Sequence, residues 1–503
     1  TRKMHMPWPR LHGIKDYTGM ANLLDEFPEI RCTANFSPGL LAQLESLCAG
    51  ETDTLQDLCR REVTSLTDDE RERLITNLFY AHPDSQIGAF PRFRELREIR
   101  RYGKAFTPQD LVDLETVANL SWFHGTLFEK DEELQEWRTR GRGFTVQDRD
   151  RVLDKQIEVV RGIIPHWKAL QERIEISVSP YYHPIVPLLC SFESARPGLP
   201  HSQLPDPQPG LREDALVHIR RAVEMGEKTF GRKPHGVWPS EGSVSEETCR
   251  LLAEAGFQWA ATDEEIVKHS TDHADIHRAY RLGDLSLLFR DQALSNLVSF
   301  TYKTWTPRAA AEDFCRRVEA APDGAVVSVI LDGENPWEHF IGGGVEFLRA
   351  LYGRLSGHPR IRTATMSEAA KSPARTLDRL FPGSWINRNF GVWVGHPEDV
   401  RGWNLLGRVR DDLRKSGGSP LAWESLYAAE GSDWFWWFGE DFSSALDAEF
   451  DALFRLHLAN VYRADQRDVP PEMLRPIKRN FVRDLVRPPW AILNVELDGE
   501  RSD

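Results

Sequence analysis

The spacing of apolar positions changes twice along this chain. From about residue 43 to 160 the sequence is dense in charge, its apolar residues recur at helical intervals and β-branched runs are few, which predicts a long helical segment. Around and after it stand short apolar runs, Ile174–Val178, Gly236–Trp238, Gln258–Ala261, Leu285–Phe289 and Ala325–Leu331, each the length of a strand. Amphipathic stretches lie between several of them, among them Glu213–Thr229 and Glu246–Ala255. The second opens with Ser243-x-x-Glu246, the pattern of a capping box. Strands alternating with helices predict parallel β/α units, closed into a barrel or left as an open sheet, with residues of about 43–160 as a helical insertion.

Beyond about Arg362 the strand signal fades. Gly402–Lys415 and Ser443–Tyr462 read as amphipathic helices separated by the glycine- and serine-rich Ser416–Pro420, and Pro488–Leu497 turns apolar and strand-like again. The expected organisation is α/β: a β/α domain over residues 1–365, a mostly helical domain over 366–487, and the start of a β-type segment over 488–503. No internal repeat or low-complexity tract interrupts it.

Composition narrows the function. Lys and Arg number 63 against 77 Asp and Glu, a formal net charge of −14, so nucleic acid is not an expected partner: binding phosphates draws on clustered Lys and Arg. No run of about 18 uncharged apolar residues predicts a membrane span, so no membrane partner is expected either. The opening residues Thr1–Gly13 lack the apolar stretch of a signal peptide, which makes the cytoplasm the expected compartment, with a mature secreted chain as the alternative. The six cysteines are scattered, with no C-x-x-C pair and no His cluster at zinc spacing. Buried thiols and no metal are the expectation. Tryptophan, at 16 residues, is the outlier; its flat apolar face serves a core or stacks on sugar rings.

Several nucleophile and phosphate signatures are missing: there is no G-x-S-x-G, no Walker loop and no H-E-x-x-H. Gly342-Gly-Gly344 follows a Trp/His-rich loop rather than a strand and reads as a flexible turn. Carboxylates at strand exits are more informative. In Gly236-Val-Trp-Pro-Ser-Glu241 a short strand meets a proline and presents Glu241 just before a helix. In Val326-Val-Ser-Val-Ile-Leu-Asp332-Gly-Glu334-Asn-Pro-Trp337-Glu338 an apolar strand delivers Asp332 where the chain leaves the sheet. Catalytic groups of β/α barrels sit at such strand ends, and a facing pair of carboxylates is what glycoside hydrolysis requires. Taken singly, each has a plainer reading, Asp332 as a turn former and Glu241 as a charge at a helix start. With Trp238 and Trp337 beside them the paired reading is preferred.

Three further segments carry candidates. Four aromatics in a row, Trp434–Trp437, preceded by Asp433, exceed one helix stripe and suit either sugar recognition or an aromatic plug between domains. Ser179-Pro-Tyr181-Tyr182-His183-Pro follows a strand, so its Tyr/His pair is a candidate for the same mouth or a structural pair. Arg290-Asp291, ending another strand, is most simply an ion pair steadying neighbouring loops.

At these residues the sequence resembles glycoside hydrolase family 57, most closely its amylopullulanase-like and α-amylase-like branch. The matching segments are Pro7-Trp-Pro-Arg-Leu-His12-Gly-Ile-Lys-Asp-Tyr17, Ser179–Pro184, Val237–Ser245 and Leu331–Glu338, with Gly395–Asp399 and Glu430–Trp437 extending the likeness. The resemblance implies an incomplete (β/α)7 barrel followed by a helical domain that completes the cleft, and a retaining enzyme acting on α-glucans such as starch, glycogen, pullulan and maltooligosaccharides. It implies Glu241 as nucleophile and Asp332 as general acid/base, with His12, Tyr182, His183, Trp238, Glu334, Trp337, Asp433 and Trp434 as sugar-contacting positions. No cofactor is implied, and monomer or homodimer is the expected state. The family's opening His-x-His-Gln-Pro strand would precede Thr1, and Val495–Gly499 resembles the entry to a further β-rich segment. Cleavage of α-1,4 and also α-1,6 links, 4-α-glucanotransfer and silent α-glucan binding all fit these residues; an α-mannosidase-like enzyme fits less well, since no Asp/His metal cluster stands out.

Overall fold

The computed structural model describes residues 4–207, 210–372 and 374–478. Seven strands form one sheet: β1 Thr33–Phe36, β2 Glu175–Val178, β3 Gly236–Val237, β4 Trp259–Asp263, β5 Tyr280–Leu282, β6 Leu285–Arg290 and β7 Arg375–Thr376. Their order is β1-β2-β3-β4-β6-β5-β7, all pairs parallel except the β5–β6 hairpin. The fold is α/β, an incomplete barrel whose edge strands β1 and β7 are not joined. Every residue of β4 and β6 is buried, as expected of parallel strands covered on both faces.

Between β1 and β2 the described chain is helical throughout, from Pro38–Cys48 to the long helix Val146–Leu170. The long helix starts at a capping box in which Thr145 and Asp148 satisfy each other's backbone N–H. Leu41, Leu44, Phe93, Leu114, Val152 and Leu153 from these helices join a single buried cluster that also takes in Phe36 of β1. A second cluster, built on Phe314, Trp337, Phe340 and Phe347, underlies the 335–338 turn.

Four sequence expectations need correction. Residues 325–331 are not a strand. They run beside the end of β6 with one parallel bridge, Arg290 to Ser328, while the Arg290 guanidinium bonds the Ile330 carbonyl and the Ser295 hydroxyl accepts from the Ile330 amide. Side chains thus take the places that a partner strand's backbone would occupy. The edge strands β1 and β7 and the hairpin strand β5 carry no continuous apolar run and were not predicted. The helix Glu246–Glu254 is capped by Ser245, whose hydroxyl accepts from the Thr248 amide, rather than by Ser243, whose hydroxyl is buried without a partner. Finally, Ser416–Pro420 leads into an additional helix, Pro420–Ala429. Strand β3 is short because Pro239 follows it, and Gly236 admits the flat face of Trp259: a Cβ there would lie 1.8 Å from the indole.

The described residues divide into two compact units. One contains residues up to 201, 207 and 210–391; the other contains 202–206 and 392–478. The second is helical, with Pro397–Ser416, Pro420–Ala429 and Asp447–Ala464 packed together. Pro488–Leu497 lies outside the described residues.

Candidate active site

The loops that leave the C-terminal ends of β2 and β3, together with the stretch running past the end of β6, meet within the first unit. The Trp238 amide donates to the Val178 carbonyl at 3.1 Å, joining the start of the Glu241 loop to the end of β2. At the ends of β4 and β6, Asp263 and Arg290 are register partners and form a buried ion pair at 3.4 Å. Asp291 pairs with His277 at 3.0 Å, so Arg290 and Asp291 serve two separate ion pairs.

A cavity of about 490 Å³ opens among these loops. His183, Trp238, Asp332, Glu334 and Trp337 line it, together with Tyr17, Asn35, Ser177 and Trp385, which sequence reasoning did not single out as site residues. Glu241 stands just behind this wall. Its Oε2 accepts a hydrogen bond from Trp385 Nε1 at 2.8 Å, and its Oε1 is 4.0 Å from His183 Nδ1. His12 is also outside the wall; its Nδ1 meets Asp16 Oδ2 at 2.8 Å, and its charge acts on Glu334. Tyr182 packs edge-on against Tyr181, with centroids 4.7 Å apart, rather than lining the cavity.

Backbone strain concentrates here. Tyr182, His183 and Glu241 all lie in the left-handed region, at φ 60, 56 and 58, which is uncommon for residues other than Gly. Such conformations cost about 1–3 kcal/mol each and persist where the surroundings over-determine them. Either side of Glu241 the hydroxyls of Ser240 and Ser243 are buried without a partner. A segment that carries strain and unpaired hydroxyls is not optimised for stability alone.

Both carboxyls on the wall hold their protons more tightly than usual. Asp332 is open to the cavity yet crowded by protein on its other sides. That crowding raises its carboxyl above the ordinary range, opposed by the Asn335 amide at 2.8 Å and by the charges of His183 and Arg290. Burial, not repulsion from a neighbouring carboxylate, is the chief cause. Glu334 is raised chiefly by burial, against the lowering effect of His12, with Asp332 and Asp16 adding to the rise. The Tyr17 hydroxyl donates to Glu334 at 3.4 Å. Trp337, 5% exposed, carries an indole N–H with no hydrogen-bond partner.

Asp433 and Trp434 belong to the second unit. Asp433 is exposed at the start of the turn Asp433–Trp436, while Trp434 donates to the Ala428 carbonyl at 2.9 Å and lies against His457. The aromatic run packs within that unit: Phe435 is fully buried and stacks on Trp403 at 4.2 Å, and Trp436 stacks on Phe442 at 4.3 Å. The triple glycine is a tight turn, all three residues at positive φ.

Among the described residues no group of three or more His, Cys, Asp or Glu is placed to hold a metal ion, and no helix is long and apolar enough to cross a membrane. The six cysteines are unpaired, and burial raises the Cys32, Cys190 and Cys249 thiols to about 12.

Comparison with known proteins agrees with this arrangement. The family model described as "Glycosyl hydrolase family 57" matches residues 1–382. No curated protein sequence matches significantly. Among solved structures, the chain is similar to a GH57-type branching enzyme from Pyrococcus horikoshii at 15% identity and a TM-score of 0.56, over 90% of this chain and 84% of that one. It is similar to the α-amylase AmyC from Thermotoga maritima at 14% identity and a TM-score of 0.56, over 94% and 93%. A GH57 branching enzyme from Thermococcus kodakaraensis, in complex with glucose and additives, aligns at 13% identity and a TM-score of 0.55, over 93% and 88%. At such identities the likeness is one of fold.

Proposed function

The chain belongs to glycosyl hydrolase family 57, and on that premise we propose that it cleaves α-glucans by a retaining double displacement. The observation that carries this reading is a pair of differently held carboxyls, Asp332 on the cavity wall and Glu241 behind it. Glu241 is strained, bonded by an indole N–H and close to a histidine, while burial raises the Asp332 carboxyl above its ordinary range.

The two environments suit two roles. A hydrogen-bond donor favours the ionised form of a carboxyl, as a nucleophile requires, whereas burial favours the neutral form, as a general acid requires. In the first step Glu241 attacks the anomeric carbon while Asp332 protonates the departing oxygen. In the second, Asp332 takes a proton from water or a sugar hydroxyl, which displaces Glu241 and restores the original configuration. General acid assistance of this kind contributes typically about 10²–10⁴-fold in rate. Trp238 and Trp337 both line the cavity, where an aromatic ring can stack on a sugar. His12, Tyr182, Asp433 and Trp434 remain proposed sugar contacts.

Incubation with amylose and, separately, pullulan tests the reading through reducing ends and product sizes. New reducing ends are expected from a hydrolase. Redistributed amylose lengths without new ends would make the enzyme a glucanotransferase, and binding without any change would make it a silent α-glucan-binding protein. Maltotriose released from pullulan would add α-1,6 cleavage.

A further inference from the structure

The loop that carries Glu241 is held from a distant part of the chain. Val244 and Gly383 form an antiparallel bridge, with backbone hydrogen bonds of 2.8 and 3.0 Å. Two residues on, the Trp385 amide donates to the Glu241 carbonyl at 3.1 Å, and the Trp385 indole N–H donates to Glu241 Oε2 at 2.8 Å. The indole stands edge-on to Trp238, centroids 5.2 Å apart, and the Arg290 guanidinium lies 5.3 Å from its centre. Beyond it Asn387 and Arg388 both adopt positive φ, and Arg388 reaches His269 at 2.8 Å. Residues 383–388 therefore act as a strap across the strained Glu241. Trp385 falls outside residues 1–382, the span matched to the family.

We propose that Trp385 is a positioning residue for Glu241: its indole N–H fixes Oε2 so that Oε1, on the side of His183, is the oxygen that attacks. The inference rests on the nucleophile role of Glu241. As the bond from Oε1 to the anomeric carbon forms, the glycosidic C–O bond breaks and the leaving oxygen takes the proton of Asp332. Oε2 becomes the ester carbonyl and keeps the same donor, so the carboxyl group need not turn during the step. A carboxylate free to rotate loses the aligned geometry on which intramolecular attack depends.

Trp385→Phe keeps an aromatic ring beside Trp238 and deletes the donor. On an aryl α-maltooligoside whose leaving group needs no protonation, kcat should fall about 10- to 100-fold, the worth of a hydrogen bond to a charged group. KM should change little. The acidic limb of the kcat/KM profile should move to higher pH, because the ionised carboxylate has lost a donor. Trp385→His, which offers a ring N–H, should recover part of the rate. The position of the limb does not depend on the folded fraction, so partial misfolding does not imitate it. A Phe variant with wild-type rate and an unmoved limb overturns the inference. So does equal loss in the Phe and His variants with the limb unmoved, which reduces Trp385 to packing. Glu241→Gln assayed alongside separates the two readings: turnover there removes Glu241 from the chemistry, whereas an inactive Glu241→Gln beside an unimpaired Trp385→Phe removes only the role of Trp385.

Discussion

The helical segment between β1 and β2 and the cavity at the strand ends both enclose charge, and they treat it in opposite ways. Into the first, the helix Trp8–His12 that precedes β1 inserts Arg10, fully buried with its guanidinium forked onto Asp53 at 2.7 and 3.1 Å, its remaining nitrogen bonded to Asn119 and Gln156, and Trp122 beneath it. Arg149, equally buried, meets Glu115 at 3.1 Å and the Arg61 carbonyl at 3.1 Å. Each buried cation faces an anion, which is how such groups are tolerated away from water. At the cavity, Asp332 and Glu334 take a side-chain amide and a long hydroxyl contact as hydrogen-bond partners, and burial raises both carboxyls against the more distant charges of His183, Arg290 and His12. Buried cations are matched charge for charge in the helical region, whereas the two cavity carboxyls are raised by burial.

The largest expected effects fall on the unmatched side. Glu241→Gln should reduce glucan cleavage to background with the melting temperature retained, and continued turnover would remove it from the nucleophile role. Asp332→Asn should cost about 10²–10⁴-fold on glucan and much less on an activated aryl glycoside. The sign of the pH effect follows from the raised carboxyl. Wild-type activity falls as pH rises through its folded pKa, because the proton to be donated is gone. The Asn variant should lack that alkaline limb. A limb that survives in the variant would assign the acid to another residue, Glu334 being the nearest candidate.

The matched side should respond in stability rather than in chemistry. Arg149→Met strands Glu115 in the interior, and breaking one member of a buried pair typically costs about 3–5 kcal/mol. Urea unfolding should show a loss of that order, while kcat per folded molecule holds. A loss of activity without a loss of stability would mean that the helical segment takes part in the chemistry and that the contrast between the regions is wrong.

How much of this was legible in the sequence follows the same division. β4 and β6 were readable because strands covered on both faces read as apolar runs, and β3 was readable from the short run that Pro239 ends. Residues 325–331 misled because the apolar run is there but only Val326 and Ser328 find main-chain partners, while Ile330 is held by the Arg290 and Ser295 side chains, which no periodicity encodes. β1 was missed because Thr33-Ala-Asn-Phe36 is an edge strand without an apolar run. Trp385 was missed because its partner Glu241 lies 144 positions away and nothing local announces the contact. Arg10 lies in a segment whose resemblance was noted, but its buried pairing is a tertiary fact.

The smallest expected effect probes whether matching is complete even in the helical segment. Glu115 faces Arg149, yet burial outweighs that partner and pushes its carboxyl up to about 7. In the unfolded chain the value returns to about 4.3. The stability contributed by the protonated folded form is therefore fully present below about pH 4, declines as pH rises through the window between the two values, and is gone above about 7. Glu115→Gln removes this titration while keeping an oxygen for Arg149. Comparing urea unfolding at about pH 5 and about pH 8, the Gln variant should gain on the wild type at the higher pH. The opposite sign would mean that the Arg149 pairing outweighs burial, with Glu115 ionised throughout. The matched network would then be electrostatically closed.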